Sequence, residues 1–133
     1  MIQVILGRKG SGKTKKLLAL CADATKASKG NVVFIEKDNS LTYDLSHKTR
    51  LVAAEEYGIS GFDNLYGFIA GMCAGNYDIT DIFVDATLRI GSRDMAELGA
   101  FLNKLATLSV AMVLTVSADR AEITDAVAAY VIE

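Results

Sequence analysis

The sequence lacks proline and tryptophan, and its 133 residues include only two cysteines and one histidine. Without proline there is no proline-rich linker, and the length corresponds to about one domain, predicted to span residues 1–133. Cys21 and Cys73 lie far apart and show no CxxC spacing, which argues against a disulfide framework and a zinc site. The longest apolar run, residues 126–132, is much shorter than the roughly 18 residues that a membrane-spanning helix needs.

An excess of charge of one sign is also missing. The net charge is −2, so the basic footprint of a dedicated nucleic-acid-binding protein is absent. Half of the residues (51%) are apolar, which is enough for a packed core. The first apolar run, residues 2–6, leads directly into a glycine-rich segment, without the basic region and longer apolar stretch of a signal peptide. We therefore expect a globular, cytoplasmic protein.

Short apolar runs alternate along the chain with longer segments of helical periodicity. Strands are predicted over residues 2–6, 32–35, 50–54, 79–84, 110–116 and 128–132. Helices are predicted over 13–28, from a cap at Ser60 or Asp63 to about 75, and from a cap at Ser92 to about 108, with a short turn or helix over 119–124. Leu41, Tyr43 and Leu45 alternate in a polar stretch, as a small excursion or edge strand would. The alternation of strands and helices predicts an α/β fold with three layers and a mostly parallel sheet.

The segment after the first predicted strand matches the pattern G-x-x-x-x-G-K-[ST] in full. Its residues are Gly7, Arg8, Lys9, Gly10, Ser11, Gly12, Lys13 and Thr14. The glycines let the backbone curl so that successive N–H groups point inward, and the helix that starts at Lys13 adds the positive end of its dipole. The pattern predicts a nucleotide-binding loop, with Lys13 on the β- and γ-phosphates and the Thr14 hydroxyl on magnesium. An ordinary glycine-rich turn, with Arg8 and Lys9 as solvated charges, is the alternative.

A second acidic position follows the apolar run 79–84. This run ends at Val84 and is followed directly by Asp85. A strand of this kind delivers the next residue to the carboxyl edge of the sheet, where open α/β sheets bind ligands. We therefore predict that Asp85 holds magnesium together with Thr14. Asp81 lies about 13 Å back along the strand, which is too far to take part. Because any parallel strand can end in aspartate, this prediction depends on the glycine-rich loop.

Three segments together resemble the P-loop NTPases and, within them, the RecA-like ATPase core: residues 7–14, 33–38 and 81–88. The resemblance implies ATP and Mg²⁺ as ligands. It also implies that the run 110–116 lies between the strand of the glycine-rich loop and the strand that precedes Asp85. The chain is similar as well to small bacterial P-loop proteins that often carry a twitching-motility label, although it lacks the His- and Asp-rich boxes of pilus retraction ATPases.

The resemblance to RecA-like cores implies further site residues. In those cores the strand after the first helix commonly ends with the carboxylate that polarises the attacking water, so Asp38 is the leading candidate and Glu36 the reserve. Many relatives place a glutamate directly after the magnesium aspartate, whereas this chain has Ala86 there. Aspartate is one methylene shorter than glutamate, so slow turnover is expected. Ser117, after the run 110–116, would sense the γ-phosphate. A solvated polar turn is the alternative for Glu36 and Asp38.

Other side chains have weaker functional interpretations. Arg89 and Arg93 follow the predicted magnesium strand and could reach a γ-phosphate in this subunit or a neighbouring one; ordinary solvated arginines are the alternative. Tyr43 or Tyr57 could stack on adenine. The sole histidine, His47, has no evident acid–base partner and is interpreted as a surface residue.

These observations favour a Mg-ATP-binding protein that hydrolyses ATP slowly. One alternative is a small-molecule kinase of the nucleoside type, but such kinases often carry a lid with a zinc-binding cysteine cluster, and this chain has only two isolated cysteines. Another is a nucleotide-gated binding module whose active site is completed by a homo-oligomer or a protein partner that supplies an arginine. The chain has no NKxD sequence, the motif that binds guanine. Its absence does not decide between ATP and GTP.

Overall fold

The computed structural model describes residues 1–38 and 45–132, so the expectations for Leu41 and Tyr43 lie outside the described residues. The strands are β1 (Ile2–Gly7), β2 (Asn31–Glu36), β3 (Thr49–Ala53), β4 (Ile79–Val84), β5 (Ala111–Ser117) and β6 (Val131–Ile132). The helices are α1 (Lys13–Ala27), α2 (Phe62–Gly75), α3 (Thr87–Ile90), α4 (Met95–Leu105) and α5 (Asp125–Ala128), with one-turn 3-10 helices at Ala54–Tyr57 and Arg120–Glu122.

The six strands form one sheet in the order β3-β2-β4-β5-β1-β6, and each neighbouring pair is parallel. Parallel strands need long crossovers, which here contain the helices, and a sheet covered on both faces needs apolar residues on both sides of its strands. The central strands meet this requirement, since β2 is buried at every position from Val32 to Glu36. The predicted α/β fold is confirmed, as is the RecA-like order in which β5 lies between β1 and β4.

Two separate apolar clusters fill the spaces between the sheet and the helices. On one face, Leu17 and Cys21 of α1 pack with Phe34 and Phe83 of the sheet. On the other face, the buried residues of α2 and α4, Leu65 and Leu102 among them, pack with the alternate side chains of the same strands. The sheet is therefore the middle layer of three, because successive side chains of a strand point to opposite faces.

Helix starts differ from the sequence-based predictions. The cap of α4 is Asp94, whose side chain accepts hydrogen bonds from the N–H groups of Ala96 (3.0 Å) and Glu97 (3.1 Å); the prediction of Ser92 was wrong. The Ser92 hydroxyl donates instead to the Glu97 carboxylate at 3.0 Å. The negative charge of aspartate at this position also interacts favourably with the positive end of the helix dipole. Helix α2 starts after Gly61, between the two caps that the sequence predicted.

The last segment also differs from the prediction of a strand over residues 128–132. Thr124 caps the short helix α5 by accepting a hydrogen bond from the N–H of Val127. The alanines that follow favour a helix over a strand, so pairing with β1 is limited to Val131 and Ile132. No helix within residues 1–38 and 45–132 is long and apolar enough to cross a membrane.

Candidate functional site

The carboxyl ends of β1, β5 and β4 lie side by side at one edge of the sheet, because these strands are parallel neighbours. Strand β5 is in register with both: Ile5 is opposite Thr115, and Val84 is opposite Leu114. The glycine-rich loop, which follows β1, and Asp85, which follows β4, therefore flank the end of β5. The tertiary structure thus brings together two sequence motifs that are 71 residues apart at Thr14 and Asp85.

The glycine-rich loop (residues 7–14) is curled, with two glycines in the left-handed region. Gly10 has φ 83° and Gly12 has φ 92°, values that side-chain-bearing residues rarely adopt. Helix α1 then starts at Lys13, and the first N–H groups of a helix have no acceptor within it. The Lys13 ammonium folds back and donates to the Arg8 carbonyl at 3.0 Å. The loop thus brings together the first N–H groups of α1, the positive end of the helix dipole and an ammonium, which is the chemistry that binds anions.

The Asp85 carboxylate is held by two hydroxyl groups. Thr14 Oγ1 donates to Asp85 Oδ2 at 3.0 Å, and Thr115 Oγ1 donates to Asp85 Oδ1 at 2.6 Å. Thr115 is itself buried and accepts a hydrogen bond from the N–H of Ala86 at 2.9 Å. Burial lowers the pKa of the Lys13 ammonium, and the negative charge of Asp85 partly offsets this effect. The first turn of α1, the residue that follows β4 and Thr115 of β5 therefore form one polar cluster.

The chain reverses sharply directly after Asp85. Ala86 has φ 54°, the left-handed conformation, which costs about 1–2 kcal/mol for a residue with a Cβ atom. The N–H of Ala86 donates to Thr115, and its carbonyl accepts from the N–H of Arg89 at 2.9 Å. These contacts at both ends of the residue stabilise the strained backbone. The turn also starts α3, which the sequence analysis did not predict.

The donor atoms near Asp85 suit Mg²⁺. A hydroxyl and a carboxylate are hard oxygen ligands, and Mg²⁺ usually binds to one or two such protein ligands together with water and substrate phosphates. Thr14 and Asp85 supply such a pair within hydrogen-bond distance of each other. Among residues 1–38 and 45–132 no cluster of three or more His, Cys, Asp or Glu side chains could hold a metal without further ligands. Thr14 and Asp85 are therefore the residues that could hold Mg²⁺ here, with water and phosphate oxygens as its other ligands.

A cavity of about 560 Å³ opens over the glycine-rich loop and Asp85, within the range of small-molecule sites. Its lining residues are Arg8, Lys9, Gly10, Lys13, Thr14, Asp85, Ala86, Leu88, Arg89, Arg93, Thr115, Ser117, Ala118, Asp119 and Glu122. Most of the predicted site residues therefore share one cavity. The predicted residues Gly7, Ser11 and Gly12 shape the loop beneath it and do not belong to this lining.

Neither of the two candidate catalytic carboxylates, Glu36 and Asp38, lines this cavity. Glu36 is the last residue of β2 and only 3% exposed. Asp38 is more exposed, and its Oδ2 lies 4.0 Å from Nη2 of Arg89, which lines the cavity. Asp38 is thus connected to the cavity through Arg89, whereas Glu36 is enclosed at the end of the sheet.

Several interactions at the cavity were not predicted from the sequence. Arg8 donates from Nε to both carboxylate oxygens of Asp119, at 2.8 and 2.9 Å. This contact lowers the pKa of Asp119 and raises that of Arg8. Arg93 lies 3.3 Å from the Glu122 carboxylate. Ser117 is the residue predicted from the sequence at the end of this strand, but Thr115, two residues earlier, is the one that contacts Asp85. No local pattern links Arg8 to Asp119, because they are 111 positions apart.

The remaining candidates lie elsewhere. The ring of Tyr57 stacks on Phe68 with centroids 6.2 Å apart, and its hydroxyl accepts from Arg50 at 3.4 Å. Tyr57 does not line the cavity. His47 is exposed, as predicted. Tyr43, the other candidate for stacking on a base, lies outside the described residues.

Comparisons with known proteins show the fold. No protein-family model matches the chain, and no curated protein sequence matches it. Solved structures do match, among them the crystal structure of flagellar accessory protein FlaH from Methanocaldococcus jannaschii, with a TM-score of 0.62 and 15% sequence identity. The match covers 96% of this chain and 65% of that chain. This chain therefore spans less than two thirds of the length of FlaH, and the similarity supports the RecA-like fold and nothing about motility.

Proposed function

We propose that this protein binds Mg²⁺ and a nucleoside triphosphate, with ATP as the expected nucleotide, and hydrolyses it slowly. One observation carries the proposal: Lys13, Thr14 and Asp85, from two distant motifs, converge beneath a cavity at the carboxyl edge of the sheet. Anions bind at helix N-termini, and ligands of open α/β sheets bind at this edge. The fold similarity to FlaH is compatible with the proposal and does not test it.

Each residue of the cluster has a distinct role in the proposal. The N–H groups of the glycine-rich loop and the start of α1 bind phosphate oxygens, and the Lys13 ammonium neutralises their charge. Lys13 exchanges the Arg8 carbonyl, now at 3.0 Å, for phosphate. Thr14 and Asp85 would hold Mg²⁺, which shields the negative charge of the phosphates. Thr115 keeps the Asp85 carboxylate in position through its 2.6 Å hydrogen bond.

Hydrolysis requires a carboxylate that orients the attacking water, and Asp38 is the proposed one. Its side chain is more exposed than that of Glu36 and approaches Arg89 at the cavity. Glu36, the reserve candidate, is buried at the end of β2. Position 86 holds an alanine in place of a second carboxylate. The water therefore depends on a short aspartate side chain from the neighbouring strand, and we expect slow turnover.

The binding proposal is tested with Lys13→Ala and the matched control Lys15→Ala. Both variants remove one ammonium from the first turns of α1, but Lys15 is exposed and does not line the cavity. A charged hydrogen bond contributes about 1.5–3 kcal/mol, so Lys13→Ala should weaken Mg-ATP binding by about 10- to 100-fold. Lys15→Ala should leave the affinity nearly unchanged. The measurement is isothermal titration calorimetry of the full chain.

Two results would contradict the binding proposal. The first is a wild-type chain that does not bind Mg-ATP or Mg-GTP at millimolar concentration. The second is equal affinity of the Lys13→Ala and Lys15→Ala variants, since it would mean that Lys13 does not contact the phosphates. Titrations with ATP and GTP in parallel determine which base is preferred.

A further inference from the structure

Two arginines at the cavity are paired with carboxylates of one short segment. Arg8 belongs to the glycine-rich loop, and its Nη2 also lies 2.7 Å from Asp119 Oδ2. Arg93 precedes α4, and its Nη2 lies 3.3 Å from both the Glu122 carboxylate and the Ser117 carbonyl. All five of these residues line the same cavity. The two guanidinium groups thus come from separate parts of the chain and meet the same turn.

The two acceptor carboxylates are also connected to each other. The N–H of Asp119 donates to Glu122 Oε1 at 2.9 Å, and the Asp119 side chain accepts from the backbone three residues on, which together form a capping box. Asp119 is therefore the cap of the 3-10 helix Arg120–Glu122, and Glu122 is its last residue. The same two carboxylates also bind Arg8 and Arg93. If either Arg8 or Arg93 exchanges its carboxylate for another anion, the contacts of this one 3-10 helix change.

We propose that Arg8 and Arg93 form a clamp for the terminal phosphate of the bound triphosphate, and that Asp119 and Glu122 occupy this clamp in the free protein. The inference rests on the proposed function. A guanidinium group binds carboxylates and phosphates with the same forked geometry. Arg8 already holds Asp119 in this way through Nε and Nη2, whereas Arg93 meets Glu122 through Nη2 alone, so a phosphate can replace both carboxylates. In the clamp an arginine of this chain, rather than one from a partner subunit, contacts the terminal phosphate.

The exchange of partners has a modest energetic cost because both ion pairs are at the surface. The side chains of Arg8 and Arg93 are 80% and 61% exposed, and surface ion pairs contribute little in water. A terminal phosphate with its multiple negative charges is a stronger partner than one carboxylate. The N–H groups of the glycine-rich loop contact phosphates that are common to diphosphates and triphosphates, and Lys13 also reaches the β-phosphate of both. The clamp therefore acts mainly on the additional phosphate and favours triphosphates over diphosphates.

Asp119→Asn tests the clamp, with Asp125→Asn as the matched control. Both substitutions remove one negative charge from the same region, but Asp125 is exposed on α5 and does not line the cavity. Without its carboxylate competitor, Arg8 becomes available, so Asp119→Asn should tighten Mg-ATP binding by about two- to fivefold. Mg-ADP binding should change less, and Asp125→Asn should affect neither. Calorimetric titration with both nucleotides measures these affinities.

Arg8→Gln provides a second variant in case Asp119→Asn disturbs the turn. The exposed Arg8 side chain can be replaced without a cavity in the core, and its loss should weaken Mg-ATP binding more than Mg-ADP binding. Lys15→Ala is its charge-matched control. Equal effects of Arg8→Gln on ATP and ADP, or equal effects of Asp119→Asn and Asp125→Asn, would overturn the clamp.

The same titrations separate failure of the clamp from failure of the proposed function. If wild type binds Mg-ATP and Lys13→Ala does not, while the Arg8 and Asp119 variants behave like their controls, the nucleotide site stands and the clamp is wrong. If wild type binds neither nucleotide, both proposals are wrong.

Discussion

Individual side chains at the edge of the sheet have roles that their neighbours in sequence do not share. Thr115 and Ser117 are two residues apart on β5 and both line the cavity, yet the Thr115 hydroxyl donates to Asp85, whereas the Ser117 carbonyl accepts from Arg93. The register accounts for the difference: Val84 is opposite Leu114, so Asp85 lies beside Thr115, whereas Ser117 is two residues further along β5. Thr115 therefore positions the carboxylate.

Asp38→Asn is expected to separate hydrolysis from binding. The amide keeps the size of the side chain but is a poor base, so kcat for ATP hydrolysis should fall by about 100-fold or more, while the affinity for Mg-ATP stays within a few fold of wild type. Phosphate release under saturating Mg-ATP measures kcat, and calorimetry measures binding. Glu36→Gln is the comparison variant. A normal kcat in Asp38→Asn with a reduced kcat in Glu36→Gln would transfer the role to Glu36.

Buried apolar contacts determine the positions of the helices more than surface polar contacts do. Helix α4 presents a stripe of fully buried side chains to the sheet, including Leu98, Leu102 and Leu105. Its exposed side carries Lys104, whose ammonium lies 4.3 Å from the centre of the Tyr66 ring of α2. Burial of a leucine contributes more than a cation–π contact at the surface. The apolar stripe therefore determines how α4 docks, and the polar contact adds little.

Leu102→Ala should destabilise the protein much more than Lys104→Ala. Removal of a buried leucine side chain costs about 2–5 kcal/mol, whereas loss of an exposed cation–π contact costs about 0.5–1 kcal/mol. Urea unfolding followed by circular dichroism gives both free energies. Similar losses in the two variants would contradict the packing of α4 against the sheet.

The whole molecule consists of a central sheet with unequal layers on its two faces. Among the described helices, α1 contributes to the smaller apolar cluster, while α2 and α4 contribute to the larger one. Cys21 of α1 is fully buried in the smaller cluster. Access to its thiol therefore requires separation of α1 from the sheet, which breaks the same packing that holds the glycine-rich loop at the start of this helix.

Cys21 is expected to report on this separation. Burial raises the pKa of its thiol, an effect that hydrogen bonds with Thr25 and Thr49 partly offset. Since the thiolate is the reactive form, Cys21 in a Cys73→Ser variant should not react with Ellman's reagent at pH 8 until the protein is unfolded with urea. Cys73 in a Cys21→Ser variant is half-buried and should react faster. A native Cys21 that reacts as fast as Cys73 would contradict the placement of α1.

The raised pKa of Cys21 also affects the stability of the fold. The folded state retains the Cys21 proton to higher pH than the unfolded state does. The contribution of the protonated thiol to the free energy of unfolding is therefore complete below the reference pKa of 9.0 and is lost as the pH rises through the raised value.

Much of the architecture could be predicted because it depends on local patterns. The apolar runs of β1 and β4 and the helical periodicity of α1 were recognised at nearly their observed bounds. Helix α3 and the short β6 were not, because a four-residue helix has no periodicity to detect and because α5, which Thr124 caps, extends to Ala128 at the start of the predicted strand. The position of β5 between β1 and β4 came from the family resemblance and was confirmed by the sheet.

The sequence alone determined the residues that act through their neighbours in the chain: the glycine-rich loop, the start of α1 at Lys13, and the aspartate that follows β4. These depend on backbone conformation and on the period of the apolar residues, which are local properties. Only the tertiary structure decided that Thr115 holds Asp85 and that Arg8 and Arg93 meet Asp119 and Glu122. Such pairs join distant segments, and their partners depend on strand order and register, which no short stretch of sequence contains.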